Sequence, residues 1–300
     1  MNTLIDITAL NQDLLIYLAI DISIAIVLLG AMRFISGLSA KVNSTEELAK
    51  EDNFAFGISV AGSIAALGIV LTGAITGENA PSYLMEAIGM FSYGVLGLIL
   101  IKVGRVIHDK IALNQIDKNQ HIKNHNITIG LVDAAGAIAT AIIIRAVLLW
   151  VDGIDLNTFI AIICGFIVAQ TMLLLVTRIK EKQYAKNNQG SCMQEAFANG
   201  QVALAIRYTG QVISTALAVT AASHFLSYSP ETLIMNLIGW LVFGIVMTLL
   251  VSILTSFAKK LILWGINLVE EVDQQHNIGV ASVEMAISIS IALILTALMA

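Results

Sequence analysis

Two carboxylates are the residues best placed to do chemistry. Asp133 and Glu284 stand at matching positions in two strongly apolar stretches, each about two helical turns past the asparagine that opens the stretch. A carboxylate at that depth in an apolar helix is costly, so it faces protein or water and takes a partner. Arg207 lies at a depth comparable with Glu284 and is the expected partner; removing either one would strand a buried charge. The corresponding position in the first half is Ser59. Asp133 is therefore expected to lack a cation and to be the acid free to exchange a proton. Two uses fit such a pair. One is a proton or cation relay, and the other is polar glue between closely packed helices. Asp21 and Arg145 fall toward the opposite side of the same stretches and form a second expected pair, while Glu86 is expected to snorkel outward.

Asn53, Asn126 and Asn277 begin apolar stretches. An asparagine there caps the helix by accepting a free backbone N–H; the alternative is a polar ring at the mouth of a pathway. Asn199 opens the remaining copy in this register. His121 and His125 are spaced i, i+4, which is a weak metal signal without nearby cysteines. Cys164 and Cys192 show neither metal nor redox spacing. Zincin, phosphate-loop, nucleophile-elbow and dinucleotide motifs are missing, so the sequence implies neither an enzyme nor a cofactor.

The elements that must position these groups are membrane helices. Apolar residues make up 57% of the 300 and charged residues 12%, too few charges to cover a soluble fold, where roughly 25% is usual. Mean hydropathy is +0.85. The net charge of −5 argues against nucleic acid and leaves the lipid bilayer as the first partner. Eight apolar runs are long enough to span: Leu14–Leu38, Phe54–Ile75, Leu84–Ile107, Ile127–Val151, Thr158–Ile179, Val202–Ala222, Leu233–Phe257 and Ile278–Ala300. Nothing basic precedes the first run, which reads as an anchor and not as a cleaved signal. Lys and Arg crowd four alternate connections, whereas Glu78, Asp152, Asp155 and Glu231 mark the others. The asymmetry places both termini outside the cytoplasm.

The two halves resemble each other. Glu47, Ala55, Ile58, Gly62 and Thr72 match Glu195, Ala203, Ile206, Gly210 and Thr220, and His125-Asn126-Ile127 matches His276-Asn277-Ile278. The expected fold is all-α, with eight transmembrane helices in two tandem, parallel four-helix repeats, residues 1–152 and 153–300. Arg33, Arg105 and Arg178 recur at a finer period, as expected of four helical hairpins. The second run carries Gly57, Ala61, Ala65, Gly68 and Thr72 on one stripe, read as a packing face in preference to a pore lining.

The run from Glu47 to Gly62, followed by Gly68-Ile-Val-Leu-Thr72-Gly73, resembles the bacterial inner-membrane family DUF350, the YjfL-like or UPF0719-type proteins. The resemblance implies paired-helix repeats and a bacterial plasma-membrane location, and it brings no activity. It also implies a context of envelope stress and membrane-remodelling partners.

Two functions remain open, the first being the leading expectation and the second its alternative. One is a translocator of protons, a cation or a small polar solute at the interface of the two halves, which the deep acids favour. The other is a non-transporting scaffold or sensor that docks a cytoplasmic or peripheral membrane-stress partner. Self-association fits either.

Overall fold

The computed structural model describes residues 12–75, 82–151 and 155–300. Glu78, Pro81 and Asp152 lie outside these. Among the described residues eight helices are long and apolar enough to cross a membrane. They are α1 (Gln12–Ala40), α3 (Phe54–Ile75), α4 (Tyr83–Ile107), α6 (Ile127–Trp150), α7 (Leu156–Asn187), α9 (Val202–Ser223), α10 (Leu233–Ile262) and α11 (Ile278–Met299). Helix is the form that pairs all its backbone groups internally, as hydrocarbon demands. The chain is a multi-pass transmembrane protein.

The spans alternate in length. The odd-numbered ones, with their helical extensions, run 29, 30, 32 and 33 residues; the even-numbered ones run 22, 24, 22 and 22. At 1.5 Å per residue the even spans rise about 33–36 Å and the odd ones about 44–50 Å.

Four corners on the lysine-rich side share one construction. Each contains a short helical piece: α2 (Ser44–Ala49), α5 (Lys118–Lys123), α8 (Met193–Ala198) or the π turn Val269–Gln274. A residue with positive φ follows: Asp52 (47°), His125 (61°), Gly200 (83°) or His276 (55°). The next residue turns its backbone N–H back into that piece: Asn53 to Glu47 O at 2.9 Å, Asn126 to His121 O at 2.9 Å, Gln201 to Ala196 O at 3.1 Å, Asn277 to Glu271 O at 2.8 Å. It then starts the even-numbered span. The third opener is thus Gln201 and not Asn199, which caps the end of α8. Gly200 carries the left-handed turn there, and the matching of Asn53 with Gln201 holds through it.

The even-numbered spans stand in a row, α3 on α6, α6 on α9 and α9 on α11. The odd-numbered spans flank this row. Helix α1 packs on α3 and α4, α4 on α3 and α6, α7 on α6, α9 and α10, and α10 on α9 and α11. Small residues let the row close up. A Cβ on Gly130 would run into the carbonyl of Ala55, and one on Gly62 would lie 2.6 Å from Ala134 Cα. The partners along α3 are therefore Ala55, Ser59, Gly62 and Gly73. The stripe Gly57, Ala61, Ala65, Gly68 and Thr72, read from the sequence as a packing face, is not the face used toward α6 within the chain. It turns away from α6, and Ala61, Ala65 and Thr72 are exposed.

Candidate functional site

The two deep acids lie in two separate ion clusters, both toward the lysine-rich side. Asp133 is on α6 and is 3% exposed. Arg105, from the last turn of α4, grips it through Nε at 3.1 Å from Oδ1 and Nη2 at 2.6 Å from Oδ2. Lys118, the first residue of α5, reaches Oδ1 at 2.9 Å and also pairs with Asp109 in the π turn His108–Ala112. The Ser59 hydroxyl donates to Oδ2 from α3. Arg105 also donates to Ser59 Oγ at 3.0 Å and Ser63 Oγ at 2.8 Å.

Asp133 is therefore not the unpaired acid that the sequence suggests. Arg105 reads as a residue of the basic connection because it ends an apolar run. Its long side chain instead folds back along α4, and the corner helix α5 brings Lys118 over the same carboxylate. Fork geometry lets one guanidinium hold both carboxylate oxygens.

Glu284 on α11 is also 3% exposed. Arg207 Nε lies 2.6 Å from its Oε2, as the matched depths imply. Lys259, near the end of α10, reaches Oε1 at 3.1 Å. Arg207 also pairs with Asp273 and donates to Leu268 O at 2.6 Å. Asn188 Nδ2 holds the other Asp273 oxygen at 3.0 Å. The donors have traded places between the clusters. In the first, arginine comes from α4 and a hydroxyl from α3; in the second, arginine comes from α9 and lysine from α10. By its ion pairs each cluster still has one arginine, one lysine and two carboxylates, and Lys180 stands beside the second.

Asp21 and Arg145 do not pair. Asp21 is buried beside Glu86 of α4, and among the described residues its Oδ1 has no hydrogen-bond partner. Arg145 Nε donates to Thr72 Oγ1 at 3.0 Å. The two residues sit on different helix pairs, α1–α4 and α3–α6, so similar depth does not bring them together. Glu86 is accordingly engaged and does not simply snorkel.

The asparagines cap. Asn53, Asn126 and Asn277 accept from the N–H groups of Phe56, Ile129 and Val280 at 3.0, 3.2 and 3.1 Å. Their amides tie the corners together. Asn53 donates to Glu47 at 2.8 Å and Asn277 to Glu271 at 2.8 Å, whereas Asn126 donates to Ala198 O in the next hairpin at 2.8 Å. His125 is the turn residue itself, and among the described residues no three His, Cys, Asp or Glu side chains gather as metal ligands.

A buried polar line that sequence reasoning missed joins the turn after α4 to α9 and α7. His108 Nε2 meets Tyr208 Oη at 2.9 Å, and Tyr208 Oη meets Thr177 Oγ1 at 2.8 Å. His108 adjoins Asp109 of the first cluster in the chain, and Tyr208 adjoins Arg207 of the second. The available signal was polar residues within apolar runs that also hold charge. An open cleft of about 480 Å³ at the end of α10 is lined by Lys259, Lys260 and Trp264. A tighter crevice lies between Glu47, Asn53, Phe56 and Asn119. Neither acid lines either of them.

The family model described as Domain of Unknown Function (DUF350) matches twice, over residues 9–148 and 154–299. The chain belongs to the DUF350 family. It is 26% identical over 133 residues to a "UPF0719 transmembrane protein" of Aquifex aeolicus (strain VF5), a match covering 44% of this chain and 49% of that protein. The chain thus spans about half the length of the curated relative it matches. No solved structure matches. The Asp133 cluster falls wholly within the first DUF350 match and the Glu284 cluster within the second.

Proposed function

We propose that this DUF350 protein is a non-catalytic, non-transporting scaffold of the bacterial inner membrane. It consists of two tandem, parallel four-helix repeats, residues 1–152 and 153–300, with both termini outside the cytoplasm. Its rigid cytoplasmic face presents lysine-rich corners to a cytoplasmic or peripheral membrane partner. One observation carries this reading: each deep acid is held by two cations. A carboxylate so saturated serves to fix helices, because taking either charge away strands the other. The repeat reading is supported by the paired contacts, α3–α6 with α9–α11 and α1–α4 with α7–α10, and by the four like corners.

The test is proton and cation flux in liposomes, run beside thermal unfolding in detergent. The scaffold reading expects flux no higher than in empty liposomes, and a loss of stability in Asp133→Asn. Flux that Asp133→Asn abolishes at unchanged stability would overturn it.

A translocator is the second reading, favoured by the line His108–Tyr208–Thr177. Hydroxyl and imidazole groups in hydrogen-bonding sequence are the parts of a proton relay. That reading expects flux that Tyr208→Phe eliminates.

A further inference from the structure

The helix row has two open ends, and the rest of the molecule shows what fits them. We propose that copies of this chain associate head to tail in the membrane, α11 of one copy packing on α3 of the next as α6 packs on α9 within the chain. The proposal rests on the repeat reading above.

The internal joint is the template. At 100° per residue, Gly130, Ala134 and Ala137 of α6 face α3. Val132, Ala135, Ala139 and Ile143 lie on the opposite side, where α9 packs, and are at most 1% exposed. Their counterparts on α11, matched as Asp133 is to Glu284, are Val283, Ala286, Ser290 and Ile294, all exposed. The other end behaves likewise. Ala205, Thr209 and Ala216 of α9 are buried on the side away from α11. Their counterparts on α3, matched as Gly62 is to Gly210, are Gly57, Ala61 and Gly68. Ala61 is exposed, and a Cβ on Gly68 would meet nothing within 4 Å. Each face that is covered inside the row is thus bare at one end of it.

Lipid is a poorer occupant for these faces. The outward surfaces of α1 and α10 are bulky, with Leu18, Ile26 and Phe34 on one and Ile238, Val246 and Phe257 on the other. At the middle of each end face the residues are small, Ala286 and Ser290 on α11 and Gly57, Ala61 and Gly68 on α3, with Val283 and Ile294 to either side on α11, which suits close approach of a helix backbone. The two ends differ from each other, so the contact is heterologous and continues into a ring or a filament. A second copy is the occupant because it alone continues the α6–α9 joint in register.

The test uses the full chain in native membranes, with Cys164→Ala and Cys192→Ser as background and a short bismaleimide as cross-linker. Differently tagged copies carrying Ala61→Cys or Ala286→Cys are co-expressed. A dimer-mass product that needs both copies, and a ladder from the double variant Ala61→Cys/Ala286→Cys, are expected. Ala286→Trp should remove the ladder while leaving thermal unfolding unchanged, because that position is exposed in the single chain. Monomer alone would mean that lipid covers the ends and would overturn the proposal. So would a product from Ala286→Cys with itself, the mark of a two-fold dimer. Ala135→Cys with Thr209→Cys in one chain checks the internal joint. If that link fails, the repeat reading fails, and the assembly stands or falls on the Ala61–Ala286 link by itself.

Discussion

Asp133 and Glu284 are each held between two cations, so their loss should cost alike. Asp133→Asn and Glu284→Gln are each expected to destabilise the protein by about 3–5 kcal/mol, because each leaves buried cations short of charge. Unfolding in detergent checks this, and an Asp133→Asn protein as stable as wild type would show that Arg105 and Lys118 do not depend on it. Arg207→Leu with Glu284→Leu should recover only part of the loss, since Asp273 and Lys259 stay behind without their partners. Asp155 offers a pH-dependent case outside the spans. Its carboxylate caps α7, and the Thr158 N–H and hydroxyl bound to it hold its pKa below the usual 3.8. A depressed folded value means that the cap's contribution is full above the unfolded pKa and lost as pH falls through the folded one. Unfolding measured from pH 6 downward should therefore show an acid-side decline that Asp155→Asn flattens, since an amide still caps without titrating.

Between helices, the fit at glycine decides more than side-chain chemistry. Gly130→Val should cost several kcal/mol, above the usual 1–3 for overpacking, because the added atoms strike the backbone of Ala55 and not a movable side chain. Gly30, with nothing within 4 Å of its Cβ position, is the control. Gly30→Ala should be neutral or gain up to about 1 kcal/mol from helix propensity. Chemical unfolding of both variants tests the contrast. Helices of this kind were legible in advance, since apolar runs of some 20 residues leave lipid-spanning helix as the one economical form. Their partners were less legible. Arg207 with Glu284 followed from depth alone, because both lie mid-helix on packed neighbours. Arg105 with Asp133 did not, because hydropathy places a side chain by its Cα, and the guanidinium lies several ångströms away. Asp21 and Arg145 failed for the complementary reason: shared depth says nothing about which helices touch.

At the scale of the molecule, orientation is the first thing to measure. Cysteine labelling should reach Ala300 from outside the cytoplasm and Lys186 from within, because lysine and arginine gather at the corners on one side. Labelling in the reverse sense would sink the orientation. The alternation of span lengths has its own consequence. The central row, at about 33–36 Å, is close to a hydrocarbon thickness near 30 Å, whereas the flanking spans overshoot it by ten ångströms or more. The flanking spans α1 and α10 also show lipid their bulkiest surfaces, and α10 passes Lys259 to the Glu284 cluster at its far end. A change in bilayer thickness therefore acts first on the tilt of the outer helices, where mismatch costs only fractions of a kcal/mol per ångström. The inner row is clamped by its ion clusters and by backbone contact at glycine. The protein is in effect suspended in the bilayer by its longer spans, with α6 and α9 at its centre shielded from the mechanics of the lipid.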